Sequence, residues 1–173
     1  MSTEQADKNA AKPILIREFS FSSDHYKKAL RLRTEVLRDP LGLKFSLADL
    51  APDSRDIHVG AFQGGELIGC LILTQLTPPL SIATKATSLP SAMKMRQVAV
   101  HPSKQGQGVG KMLAIYCEEI AMRIGAQEIV LSARETAVPF YLGLGYEIIG
   151  EPLIEVTLPH RKMRKLLAKS SLT

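Results

Sequence analysis

Residues 92–125 read AMKMRQVAVHPSKQGQGVGKMLAIYCEEIAMRIG, and three signals follow one another there. Ala92 to Val100 is an apolar-rich run that ends at His101-Pro102, as a strand does. Val109, Leu113, Tyr116, Ile120 and Ile124 recur on one face of a helix, with Gly125 placed as its C-terminal stop. Between strand and helix stands Gln105-Gly106-Gln107-Gly108-Val109-Gly110. Its glycines let the backbone turn tightly and bring N–H groups close to a ligand with no Cβ in the way. The helix start adds unpaired amides and the positive end of its dipole. That is a cradle for an anion, which a diphosphate fits, with Lys104 and Lys111 adding charge at the rim. Read alone, the same glycines also fit a plain structural turn.

The flanks extend the pattern. Glu128 to Ser132 is strand-like, which makes 92–132 a strand–helix–strand unit with a parallel step. Pro139 opens a second short helix and Gly145 closes it. Tyr146 to Glu151 and Ile154 to Met163 read as a final pair of strands. Upstream, Ile14 to Phe19 reads as a strand. Ser22, Ser23 and Asp24 offer caps for a helix that runs to Leu37 and stops at Asp39-Pro40. A short helix fits Ser46 to Leu50. Residues 57–76 form a hairpin about Gln63-Gly64-Gly65-Glu66, and 77–90, with three prolines, a loop. Hairpins first and a strand–helix–strand unit after predict an α/β (α+β) fold around a largely antiparallel sheet.

Composition narrows the function. The 173 residues suit one domain, predicted over 13–165 between tails 1–12 and 166–173. No apolar run approaches the roughly 20 residues that span a bilayer, and the polar start lacks a secretory signal, so a cytoplasmic chain without membrane contact is expected. A net charge of +5 favours anionic ligands but is too scattered to argue for nucleic acid, and the basic end from Arg161 to Lys169 reads as a solvated strand end and tail. Cys70 and Cys117 lie 47 positions apart and read as core packing. No histidine pair has metal-ligand spacing, so no metal is predicted. A P-loop needs glycine at Gln105 and Ser or Thr at Met112. A dinucleotide fingerprint needs glycine at Lys111. Both are excluded.

The motif Gln105-x-x-Gly108-x-Gly110 at a strand-to-helix junction resembles the coenzyme A signature of the GNAT family of N-acetyltransferases. Met95 to Pro102 is similar to that family's fourth strand. Ala137-Val138-Pro139-Phe140-Tyr141-Leu142-Gly143-Leu144-Gly145-Tyr146 is similar to its A-x-x-F-Y-x-x-x-G-[FY] segment. The resemblance covers roughly 13–164. Arg33 to Leu43 and Leu158-Pro159-His160 resemble uncharacterised bacterial members.

The resemblance implies a GNAT-like sheet flanked by helices, and acetyl-coenzyme A as co-substrate. It implies that the backbone of Val98, Ala99 and Val100 binds the pantetheine arm like an added strand. Gln105, Gly106, Gln107, Gly108, Val109 and Gly110 would hold the diphosphate, with Lys111 beside them. Many members have Asn seven residues before the tyrosine, near the pantetheine; here that position is Arg134. A backbone N–H near Val98 would stabilise the oxyanion formed on attack, and Tyr141 would protonate the departing thiolate. Glu35, His160 or a water chain would serve as base. His101 reads as a turn residue, and His25 and His58 show no partner. Met93, Met95, Met112 and Met122 read as core. The expected reaction moves an acetyl group to a primary amine, of a small molecule first and of a protein or peptide second. A non-catalytic acetyl-coenzyme A sensor or interaction module is the alternative. A homodimer is compatible with what the resemblance implies.

Overall fold

Residues 12–76 and 92–167 are described by a computed structural model. The predicted loop 77–90 and nearly all of both predicted tails lie outside them. Local sequence rules account for most elements. Strand β1 (Ile14–Phe19) leads to helix α1 (Asp24–Leu37), where the Ser23 hydroxyl accepts from the Tyr26 amide as N-cap. The short helix α2 (Leu47–Leu50) is held by a reciprocal capping box between Ser46 and Asp49. Strands β2 (Ile57–Gln63) and β3 (Glu66–Leu76) form the predicted hairpin, turning on Gly64 and Gly65 at φ 60° and 87°. Then come β4 (Ala92–Val100), α3 (Val109–Ile124) and β5 (Glu128–Arg134). Gly108 and Gly125 close the two ends of α3 at φ 82° and 92°. Helix α4 (Val138–Gly143) carries Pro139 in its first turn.

The chain end departs from the expected pair of strands. Three strands form instead: β6 (Glu147–Ile148), β7 (Leu153–Glu155) and β8 (Leu158–Leu166). Gly150, at φ 69°, and Pro152 interrupt the first predicted strand. The second is folded back on itself at Val156-Thr157, both with positive φ, 49° and 65°. Two β-branched residues read as strand, yet here they occupy the corners of a tight hairpin.

The sheet runs β1-β2-β3-β4-β5-β8-β6, with β7 also paired to β8. Among the described residues, only β4 and β5 are parallel. Helices cover both faces. Against α3 and α4 lie Leu71, Leu73, Met93, Met95, Ile129 and Met163, with Leu113, Cys117 and Ile120 of α3 fully buried. Each such side chain contributes roughly 1.5–3 kcal/mol of burial. Against α1, Ala29 and Leu32 meet Cys70 and Ala99. Both cysteines are free and buried, as expected. Met112 and Met122 correct the core reading: they are 37% and 39% exposed on the outer side of α3, because the helix turns its Val109, Leu113, Cys117 and Ile120 face to the sheet.

Candidate active site

Strands β4 and β5 pair in register only from Ala92–Glu128 to Met95–Leu131. Beyond that they diverge. Residues Arg96 to Val100 pair with β3 on one edge and, among the described residues, with no strand on the other. Buried backbone groups demand partners, so this open edge is suited to an extended ligand. Its register carries a bulge: Ile72 opposes Arg96 and Cys70 opposes Ala99, leaving Gln97 and Val98 opposite Leu71. Gln97 sits at φ 52°, rare for a residue with a side chain, and a bulge re-aims the groups beside it. The Oε1 of Gln97 and the Oγ of Ser132, at the mouth of the fork, are buried with no partner.

The glycine loop lies where β4 ends. Gly106 and Gly108 have φ 72° and 82°, and a Cβ on either would meet nothing within 4 Å. Their freedom serves the turn, and the space in front of them is open. The first bond of the α3 ladder runs from the Met112 amide to Gly108 O at 3.0 Å, so the amides just ahead of it lack helical acceptors. Side chains in the loop are used internally. Gln105 Nε2 donates to Val100 O at 3.0 Å and Gln107 Nε2 to Ser103 O at 2.9 Å. Lys104 donates to Gln63 at 2.7 Å, which draws its charge to the β2–β3 turn and away from the expected rim. Lys111 is exposed. Gly110 admits the Phe140 ring, which a Cβ would meet at 3.3 Å, so loop and α4 are in contact.

Tyr141, beside Phe140, is 7% exposed and packs among α3, α4 and the sheet. Its ring stands edge-on to Phe140 at 5.0 Å and Tyr146 at 5.7 Å. Burial pushes its phenol up to about 12, with Cys117 nearby adding a little. It therefore holds its proton throughout the neutral range.

A model of the Acetyltransferase (GNAT) family matches residues 18–146. The chain belongs to the GNAT family. An uncharacterised N-acetyltransferase of Bacillus subtilis (strain 168), YjcF, is 33% identical over 73 residues, 42% of this chain. The match spans about half (52%) of that relative's length. Two solved structures share the fold: an acyl-CoA N-acyltransferase from Pseudomonas aeruginosa (TM-score 0.69, 21% identity, 90% of this chain and 99% of the other) and an aminoglycoside 6′-N-acetyltransferase complexed with coenzyme A (TM-score 0.66, 20% identity, 89% and 97%).

In this GNAT domain the two expected bases fall in different places. His160 is 7% exposed on β8, opposite Arg134 of β5. Its Nδ1 donates to Leu158 O at 2.9 Å, because a carbonyl only accepts, and that leaves Nε2 to take a proton. Glu35 is exposed, in an open hollow of about 460 Å³ formed by α1 and the turn after it, with no strand residue in its lining. The structure does not bring it to the fork. A second hollow, of about 310 Å³, lies over the paired part of β4 and β5, between Lys94, Val130, Ser132 and Glu155, and reaches the fork at Ser132. Arg134 turns its guanidinium to Leu37 O, 3.0 Å away. His101 is a turn residue, accepting from the Ser103 amide at 3.2 Å.

Three features were missed by the sequence reading. The Gln97 bulge has no sequence signal, since glutamine predicts neither a bulge nor a positive φ. His58, read as unpartnered, donates from Nε2 to Asp53 O at 2.8 Å. Asp53, fully buried, accepts from Arg33 at 2.8 Å, Tyr26 at 2.8 Å and Arg96 at 2.9 Å, and Arg96 also reaches Asp56. The Nε and Nη1 of Arg33 lack acceptors, but its guanidinium lies near the faces of Tyr26 and Phe45. These partners are 20 to 43 residues apart, beyond any local pattern. Among the described residues, no cluster of three His, Cys, Asp or Glu is arranged to hold a metal, and no helix is long and apolar enough to cross a membrane.

Proposed function

We propose that the chain transfers the acetyl group of acetyl-coenzyme A to a primary amine of a small molecule by direct attack on the thioester. The observation that carries this reading is the fork: an unpaired β4 edge from Arg96 to Val100 runs into an open glycine loop. The residues present fit the co-substrate. Free amides ahead of Met112 suit the diphosphate, the β4 edge suits the amide-bearing pantetheine arm, and the orphaned Gln97 and Ser132 oxygens lie where that arm would end.

Bound acetyl-coenzyme A supplies the activated acetyl carbon. The protein supplies position, a donor and two proton carriers. An amide at the Gln97–Val98 bulge would serve as donor to the charge that develops on the acetyl oxygen, a contribution of roughly 3–4 kcal/mol for such a donor. Tyr141, protonated by burial, donates to the departing sulfur. His160 takes a proton from the amine through Nε2, directly or through water; its buried place on β8 supports it over Glu35. The 310 Å³ hollow that reaches the fork at Ser132 is of small-molecule size, which supports that acceptor class over a protein tail.

Thermal unfolding with acetyl-coenzyme A, against adenosine diphosphate as control, tests the reading. At 100 times the dissociation constant a specific ligand adds about 2.7 kcal/mol, a rise of about 5–10 °C for this length. No rise beyond the control removes the coenzyme A reading.

A further inference from the structure

Among the described residues, five arginines are half-buried: Arg38, Arg96, Arg134, Arg161 and Arg164. Three of them have a carboxylate within 4.0 Å: Arg96 with Asp53 and Asp56, Arg161 with Glu135, and Arg164 with Glu147. Among the described residues, Arg38 and Arg134 have none. The two converge instead on one neutral atom, Leu37 O at the C-terminal end of α1, at 3.4 Å from Arg38 Nη1 and 3.0 Å from Arg134 Nη2. Asp49, whose charge acts on Arg38, is engaged with the Ser46 amide and hydroxyl at 2.8 Å each. Of the residues outside the described ones, 77–91 contain no Asp or Glu, and 1–11 contain Glu4 and Asp7.

Two like charges held together and partly out of water carry an electrostatic cost. The end of α1 offsets it only in part, because a helix terminus carries about half a charge against two full ones. Burial lowers the pKa of Arg38; the charge of Asp49 opposes this, and those of Arg134 and Arg33 add to it. The Arg38 guanidinium is also fixed, lying 4.2 Å above the Phe45 ring. A pair of oriented guanidiniums short of one anion is a carboxylate receptor in waiting.

Its place gives that anion an owner. Arg134 ends β5 on the diverging arm of the fork, opposite His160. Arg38 caps α1, which packs on β3 and β4. Both therefore stand by the α1 side of the fork, away from the glycine loop that suits phosphates. We propose that Arg38 and Arg134 bind the carboxylate of the acceptor, so that the substrate is a small primary amine that also bears a carboxylate, of the amino-acid class. This rests on the acetyltransferase reading above.

The test sets L-amino acids against their amides and the matching decarboxylated amines, for example phenylalanine, phenylalaninamide and phenethylamine. Free thiol release is followed with acetyl-coenzyme A. The expected result is a kcat/KM for acids at least tenfold above that for amides and amines. Arg38→Gln and Arg134→Gln, each checked for an unchanged melting temperature, should bring that ratio close to one, and Arg38→Gln should leave the KM for acetyl-coenzyme A unaltered. The wild-type ratio stands as a test even where a variant fails to fold. A wild-type ratio of one or below, turnover of none of the acids, or a ratio unmoved in both variants overturns the proposal. The acetyl-coenzyme A melting shift is read separately, so loss of that shift marks failure of the acetyltransferase reading instead.

Discussion

Tyr141 shows how one environment sets one role. A phenol buried beside Phe140 and Tyr146, with its pKa pushed up to about 12, is a poor base and a dependable proton donor at neutral pH. Tyr141→Phe should lower kcat by about 10²–10⁴-fold while the acetyl-coenzyme A melting shift stays the same. Equal turnover in that variant would remove Tyr141 from the chemistry. Because the phenol keeps its proton well past pH 10, wild-type kcat should show no alkaline decline from this group between pH 7 and 10. Gly108 tests the cradle. At φ 82° an alanine is strained by about 1–2 kcal/mol, although no protein atom lies within 4 Å of the added methyl. Gly108→Ala should thus lower stability by about that amount in a denaturant titration. It should raise the KM for acetyl-coenzyme A tenfold or more, since the methyl enters the space in front of the amides.

At the scale of elements, the β7–β8 hairpin is the place where local preference and fold disagree. Val156 and Thr157 favour strand geometry, yet cross-strand pairing of Leu153 with His160 and Glu155 with Leu158 forces both into the left-handed region. Strain of this kind costs about 1–3 kcal/mol per residue and persists only where the surroundings over-determine it. Here it sits three residues from His160, whose Nδ1 is tied to Leu158 O inside the same hairpin. Replacing the turn by Asn-Gly through Val156→Asn and Thr157→Gly should therefore stabilise the protein, by about 1–3 kcal/mol in a urea titration. A neutral or destabilising result would mean that the β-branched side chains make compensating contacts.

Over the whole molecule, the buried network on the α1 side ties α1, the turn before β2, β3 and β4 together through Asp53. Burial alone raises the Asp53 carboxyl, but bonds from Arg33 and Tyr26 and the charge of Arg96 outweigh it, so its pKa lies below the ordinary 3.8. Its stabilisation is present above that value and is lost as pH falls through the folded-state pKa. His58 acts earlier and with the same sign. Burial lowers its pKa from 6.5, more than the Asp53 carbonyl restores, so protonation below about pH 6.5 favours the unfolded chain. The melting temperature should start to fall as pH drops from 7 towards 5, and fall again below about 4. In His58→Gln the first decline should flatten while the second remains. A flat wild-type profile from pH 7 to 5 would contradict a buried neutral His58.

The sequence by itself determined the order of elements as far as α4, the glycine loop, the hairpin at 57–76 and the family, because each rests on local spacing: alternation, the 3.6-residue stripe of α3, or glycine at a turn. It also singled out Tyr141 and His160, which stand in local motifs. The tertiary structure decided the rest. The divergence of β4 from β5, the bulge at Gln97, the Asp53 network and the meeting of Arg38 with Arg134 join residues 20 to 97 positions apart. Glu35 reads as a base in sequence and stands outside the fork in space, for the same reason. Which side of a helix meets the sheet is fixed by packing of the whole stripe, whereas a single exposed carboxylate has no packing partner to set its direction.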